Sequence, residues 1–384
     1  MPSRLAPGIR EKRPGYFEVR VYAGRDPATG ISRYATRTVR GTVKEANAVR
    51  AQLLTDVDRD GVVTTKHTVR ELFDRVIDHL ETLGRERTTI FGYRQIARSV
   101  PETIGRMPLA KLRAGDLDRY YSELVRSGLS AATVRRRHAF IRRSLAQGMR
   151  WDWVRENVAD RASPPSEPRR RFEVQSADAV VALIEAAGES RMPELAVAFR
   201  LLASVGGRRG EVCGLQWPDI DLERGTCTIR RAVKQLPGQI FVGDVKSHQE
   251  RTVLLDPDTI EVLRSHRRHQ EELSALGGMR LVDPAFVLSD SPGGGEPWQP
   301  NRLTQALERL RDRSGYTGRL HDLRHWNASQ LIEAGESAVV VAERLGHGDP
   351  ATTHRWYAHM MPAADKRASI AIGKALTTRK KSGG

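Results

Sequence analysis

The 384-residue chain carries 63 Lys and Arg against 47 Asp and Glu, a net charge of +16, and a surplus of that size attracts polyanions over long range and favours nucleic acid as the partner. Its two cysteines, Cys213 and Cys227, exclude a disulfide framework, and no third thiol or paired-histidine spacing completes a zinc site. The amino-terminal stretch has no apolar export segment, and no apolar run reaches the roughly eighteen residues a membrane span needs, so a reducing, cytoplasmic setting without membrane contact is expected.

The length suggests two or three domains, each with enough material for its own core. Residues 1–65 hold 12 basic and 7 acidic residues, a net +5; residues 66–171 hold 23 and 13, a net +10; residues 172–384 hold 28 and 27, a net +1. The excess charge sits in the first two segments. Residues 16–40 alternate in "YFEVRVYAG" and "ISRYATRTV" about the turn "RDPATG", which reads as a hairpin with a short leading strand in "GIREKR". A helix then opens at Thr42, with Glu45 three places on as its capping box. Arg20, Tyr22 and Arg37 are assigned to the outer face of this small sheet, as a docking face or as plain strand-edge decoration.

Residues 61–67 read as a linker, and 68–161 show helical periodicity throughout. The last long helix there is capped by Ser130 and places Val134, His138, Ile141 and Leu145 on one face. Arg135, Arg136, Arg142 and Arg143 form stripes elsewhere on it. No carboxylate lies between residues 124 and 151, so these arginines lack ion-pair partners in their own segment and are expected to meet phosphate. The stretch 162–171, "ASPPSEPRRR", is the clearest linker. Beyond it come helices over roughly 176–216. "TCTIRRAV", "QIFVGDV" and "RTVLLD" then alternate as one small antiparallel sheet, and helices resume from Pro257. The tail 377–384 is expected to be disordered.

Four sites in this last segment combine groups suited to one task. "SVGGRRGEVCGL" presents Arg208, with Glu211 three residues on. "GDVKSHQERTVLL" presents Lys246 near a hairpin; among ten lysines and 53 arginines it is the only lysine between residues 234 and 366, and a lysine can release a proton near neutral pH where an arginine cannot. "HDLRHW" places His321 and Arg324 one turn apart on one helix face. "LGHGDPATTHRWYAHMM" brings His347 and Tyr357; a lone aromatic there would ordinarily be a packing residue, but beside two arginines, a lysine and two histidines it completes a set of cations, acid, base and nucleophile for a phosphodiester. No carboxylate cluster of the kind a metal nuclease needs accompanies it, and no cofactor is called for.

Residues 172–376 resemble the catalytic domain of the tyrosine recombinases, the phage integrase family, through "GGRRGE", "HDLRH", "LGH" and "YAH" in that order. Residue by residue, the family's catalytic set falls on Arg208, Lys246, His321, Arg324, His347 and the nucleophile Tyr357. The likeness extends to 68–161 as a helical core-binding domain and, more weakly, to 1–60 as a sheet domain for arm-type DNA. It implies a mainly α multidomain protein: a small amino-terminal sheet plus helix, an all-α middle, and an α-rich catalytic domain with a small antiparallel sheet. One departure is Trp326, where many relatives carry a small residue; it touches packing and not chemistry.

The resemblance implies attack of the Tyr357 hydroxyl on DNA, giving a 3′-phosphotyrosyl link without metal or ATP. The base is His321, the phosphate clamps are Arg208 and Arg324, the acid is Lys246, and His347 donates a hydrogen bond. It also implies double-stranded attachment sites, a homotetramer on synapsed DNA in a bacterial host cell, and a host DNA-bending factor and an excision factor as partners. The alternatives are a chromosome or plasmid dimer resolvase of the same family, which usually lacks the sheet domain; a type IB topoisomerase; and a catalytically silent DNA-binding regulator. If Lys246 protonates the leaving 5′-oxygen, Lys246→Ala should recover toward wild-type cleavage when that oxygen is replaced by sulfur, while Arg208→Ala stays slow on the same substrate. Equal defects there would make Lys246 another phosphate contact.

Overall fold

The structure is a computed structural model, described here for residues 5–25, 31–60, 67–167, 174–245 and 250–346, with residues 370 and 372. It forms two compact units, Met1–Arg169 and Arg170–Gly384, divided inside the proline- and arginine-rich stretch 162–171. The architecture is mainly helical, with a three-stranded sheet at the amino terminus and small antiparallel sheets in the second unit. Among the described residues no helix is long and apolar enough to cross a membrane.

The first unit contains two separate apolar cores. The smaller belongs to strands β1 (Ile9–Arg13), β2 (Tyr16–Arg25) and β3 (Ser32–Arg40), paired antiparallel in that order, and to helix α1 (Val43–Asp60). Strand alternation sends Phe17, Val19 and Val21 inward to a core shared with Ala46 and Leu53 of α1. The helix opens with a capping box: Thr42 N–H donates to Glu45 Oε2 at 2.7 Å and Glu45 N–H to Thr42 Oγ1 at 3.4 Å.

Strand register corrects the membership of the sheet's outer face. Arg20 opposes Thr36 and Tyr22 opposes Tyr34, whereas Arg37 opposes the fully buried Val19. Directly opposed residues share a face, so Arg37 lies on the α1 side, away from Arg20 and Tyr22. The outer face gains Tyr34 instead. Its ring stands 3.8 Å from the Arg20 guanidinium and edge-on to Tyr22 at 5.7 Å, a cation–π and aromatic cluster held in the open.

The larger core of this unit joins α2 (Val69–Thr82), α3 (Arg87–Ser99), the short α4 (Glu102–Gly105), α5 (Ala114–Arg126) and α6 (Ala131–Arg150). Ser130 caps α6 by accepting from Thr133 N–H at 3.3 Å, and Val134, Ile141 and Leu145 are buried. His138 stands at the boundary, its Nδ1 3.0 Å from the Tyr121 hydroxyl.

Of the α6 arginines Arg135, Arg136, Arg142 and Arg143, not all are without intramolecular partners. Arg142 pairs with Asp160 from the 3-10 turn Val158–Arg161, and Arg135 Nη1 donates to Pro165 O at 3.4 Å. The partner acids and carbonyls come from beyond residue 151, which a count within the segment could not reveal. Arg135, Arg142 and Asp160 line, with Arg136, Arg143 and Asn157, a surface concavity of about 720 Å³.

In the second unit, α7 (Ala177–Gly188), α8 (Glu194–Val205) and α9 (Arg209–Cys213) precede five strands. The expected single sheet is in fact two. Strands β4 (Ile220–Asp221), β5 (Thr226–Ile229) and β8 (Arg251–Leu254) form one, and β6 (Arg231–Leu236) and β7 (Gln239–Asp244) form a separate hairpin. The break falls at Arg230, where Arg230 and Arg231 both pair with the buried Asp219 and pin the chain between the two sheets. Helices α10 (Pro257–Leu276), α11 (Pro300–Ser314), α12 (Asp322–Glu333) and α13 (Ala338–Leu345) complete the unit.

Helix α8 is buried nearly all round, through Leu195, Val197, Ala198, Phe199, Leu201, Leu202, Ala203 and Val205, as expected of a central helix. Phe199→Ala removes a ring with no exposed surface and should cost about 3–5 kcal/mol of stability in urea unfolding. A loss under about 1 kcal/mol would mean that α8 is not the packed centre.

Candidate active site

A helix leaves its last carbonyls without intrahelical partners, and α8 ends among buried side chains. Asn327 Nδ2 of α12 donates to Ala203 O at 2.7 Å and Ser204 O at 3.1 Å. Arg344 Nη2 of α13 donates to Ser204 O and to Leu254 O, both at 3.0 Å. Arg324 Nη1 donates to Gly206 O at 2.7 Å. Cations at this end also suit the helix dipole. Gly206 closes α8 with φ +59°, and a Cβ there would stand 2.5 Å from Leu345 and 2.9 Å from Asn327 Oδ1. The first glycine of "GGRRGE" is thus required by both the turn and the packing.

That turn delivers Arg208 to the start of α9. The Glu211 carboxylate receives three donors: Arg208 Nη1 on Oε1 at 2.6 Å, Arg208 N–H on Oε2 at 3.0 Å, and Arg251 Nη2 on Oε2 at 2.6 Å. Burial opposes ionisation of Glu211, but the charge and hydrogen bond of Arg251, together with Arg208, outweigh it and hold the carboxyl below the ordinary range. The Glu211 side chain is 1% exposed and that of Arg208 29%, so the carboxylate lies beneath and the cation reaches the surface.

His321 precedes α12 and is exposed, while Arg324, one turn on, is 2% exposed. The His321 and His325 rings meet edge to face at 5.0 Å. Crowding by neighbouring groups, then the charges of His325, Arg324 and Arg208, lower the His321 pKa to about 4. The imidazole is therefore neutral at pH 7 and able to accept a proton. Arg324 also donates through Nη2 to Leu345 O at 2.6 Å, so its two terminal nitrogens bridge the ends of α8 and α13.

Arg208, His321 and Arg324 therefore come together around one helix end, although 113 to 116 residues of sequence separate the first from the others. Lys246, His347 and Tyr357 lie outside the described residues. Their approaches are placed: Val245 is buried, and Gly346 ends α13 with φ +67°. Trp326 packs against the main core of this unit. Three members of the cluster were not singled out in the sequence, namely Arg251, Asn327 and Arg344. For Arg251 a signal existed, since the alternation of "RTVL" puts it on the same buried side as Val253, and an inward arginine needs a carboxylate. Among the described residues no group of three or more His, Cys, Asp or Glu is clustered to hold a metal ion.

Residues 173–363 match the family model described as the phage integrase family. The chain belongs to this family, the tyrosine recombinases. It is an enzyme of DNA breakage and rejoining. The ICEBs1 integrase of Bacillus subtilis is 24% identical over 370 residues, covering 93% of this chain and 97% of its own length. A tyrosine recombinase XerC-like protein of Caldanaerobacter subterraneus is 25% identical over 376 residues, covering 90% of this chain and 93% of its own. In fold the recombinase is similar to the Tn1549 transposon integrase in complex with transposon right end DNA, at a TM-score of 0.66 and 18% identity over 79% of this chain and 100% of that one. It is also similar to a lambda integrase dimer bound to a COC′ core site, at 0.58 and 17% over 93% and 96%.

The recombinase should keep breaking DNA below the ordinary histidine pKa of about 6.5, with an acid limb whose midpoint lies under that value. A midpoint at or above it would mean either that His321 is not the group that takes the proton or that burial and the neighbouring charges do not act on its ring. Because the folded imidazole binds its proton less readily than the unfolded one, its contribution to stability is intact above about pH 6.5 and is lost progressively as pH falls toward 4.

Proposed function

We propose that this chain is a site-specific integrase that cleaves, exchanges and rejoins DNA between attachment sites through a 3′-phosphotyrosyl intermediate on Tyr357. The observation that carries the reading is the meeting of Arg208, His321 and Arg324 around the end of α8, in the company of a buried carboxylate and a second buried guanidinium. In this reading Arg208 and Arg324 meet the non-bridging oxygens of the scissile phosphate, where charge grows as the phosphorus becomes five-coordinate. Such donors act chiefly in the transition state, and losing one set costs about 3–4 kcal/mol.

A phenol with a pKa of about 10 needs help to react near neutrality. His321, neutral at pH 7, takes its proton; Lys246 supplies one to the leaving 5′-oxygen; and His347 donates to the phosphate. Energy held in the phosphotyrosine then drives rejoining when a 5′-hydroxyl attacks, so no external energy source enters the cycle.

The rest of the chain takes its roles from position and charge. Residues 68–161 form the core-binding domain, whose α6 arginines line the concavity described above. Residues 1–60 form the arm-binding domain, with Arg20, Tyr22 and Tyr34 on its open sheet face. Residues 172–376 are catalytic. The integrase assignment draws support from the end-to-end likeness to the ICEBs1 integrase. Assembly as a homotetramer on synapsed DNA draws it from the likeness to a lambda integrase tetramer bound to a Holliday junction, at a TM-score of 0.56.

Tyr357→Phe should bind site DNA as wild type does and form no covalent adduct. An adduct persisting in that variant, mapped by proteolysis to another residue, would overturn the assignment. Deleting residues 1–65 should abolish arm-site footprints while leaving core-site binding measurable; arm footprints in the truncated protein would remove the docking role from the sheet.

A further inference from the structure

Arg251, the first residue of β8, is a buried guanidinium engaged in two directions. Its Nη2 donates to Glu211 Oε2 at 2.6 Å, and its Nε donates to Arg344 O at 3.0 Å, at the carboxyl end of α13. The side chain is 7% exposed. Its third nitrogen, Nη1, has no hydrogen-bond partner among the described residues and lies 2.9 Å from where a Cβ on Gly346 would stand. One arginine thus touches the carboxylate that holds Arg208 and also the turn that leads directly into residue 347.

We propose that Arg251 is a positioning residue of the active centre, fixing Arg208 through Glu211 and fixing the entry to His347 through the carbonyl of Arg344. The proposal rests on the roles given above to Arg208 and His347. Charge balance gives the first effect its physical content. Glu211 carries one negative charge and faces two guanidinium groups, so the trio is net positive, and Arg208 can keep its own charge for a phosphate. Without Arg251 the buried carboxylate has, among the described residues, Arg208 as its only ion-pair partner and offsets its charge. The second effect follows from shape. A planar guanidinium donates along fixed, divergent directions, whereas an ammonium on a flexible stem is a point charge that serves one partner at a time.

The test uses the full-length protein and a nicked duplex carrying the core sequence that the wild type selects from random DNA. Arg251→Met keeps volume and removes charge and donors. It should bind this duplex within about threefold of wild type and form the covalent adduct at least about tenfold more slowly. With a neutral methylphosphonate at the scissile position, the phosphate charge that Arg208 meets is gone, so the gap between Arg251→Met and wild type should narrow to within about threefold. In an Arg208→Ala background, Arg251→Met should slow the reaction by a smaller factor than it does in the wild-type background, the remainder coming from the lost contact with the carbonyl of Arg344.

A wild-type rate in Arg251→Met, an unchanged gap on the methylphosphonate, or defects that multiply with Arg208→Ala would each overturn the first arm. If Arg251→Met does not fold, as judged by thermal melting, Arg251→Lys keeps the charge beside Glu211 and carries the test. It should be slower than wild type, and that deficit should vanish in a His347→Ala background; a deficit persisting there overturns the second arm. Absence of any adduct from the wild type would overturn the recombinase mechanism itself, a different result from any of these.

Discussion

The end of helix α8 is the constraint on which the catalytic unit depends. A buried helix cannot leave its last carbonyls dry and unpaired, and here the partners come from α12 and α13, through Asn327, Arg324 and Arg344. Meeting that requirement draws together three segments that are distant in sequence. The same contacts set where Arg208 leaves the Gly206 turn and where α13 stops, so the hydrogen-bond needs of one helix organise the cluster of Arg208, His321 and Arg324.

Charge is arranged by depth as well as by position. Glu211 is buried beneath Arg208, and Arg251 is buried beside both. An ion pair of this kind is costly to desolvate and is poor evidence for stability by itself. Its value lies in fixing geometry, because the carboxylate orients Arg208 through both its side chain and its backbone N–H. Arg208, one of the two cations on this carboxylate, also acts on His321, whose pKa is lowered first by burial and then by the charges of His325, Arg324 and Arg208.

The first unit presents charge in the opposite manner, on the surface. Arg20 rests on the Tyr34 ring in the open, and the arginines of α6 surround a concavity in which Asp160 holds Arg142. Exposed pairs of this kind add little to stability. They limit the wandering of long side chains.

Much of this was legible in the residues alone. Charge bias, hydrophobic period and linker composition located the sheet, the helical middle and the catalytic segment. The spacing of "GGRRGE", "HDLRH", "LGH" and "YAH" carried the family resemblance, because helix caps, turns and side chains one turn apart are local properties that a short stretch dictates. Pairing across long separations was not legible. Strand register put Arg37 on the α1 side, the break at Arg230 split one expected sheet into two, and Asp160 reached back to Arg142. Asn327 and Arg344 looked like ordinary helix residues until folding brought them against the end of α8, and the alternation that turned Arg251 inward did not say that Glu211 would meet it. The sequence by itself determined which groups could do phosphodiester chemistry; the tertiary structure decided which buried donors hold them, because a hydrogen bond depends on distance in space and no local pattern encodes contacts made over tens to hundreds of residues.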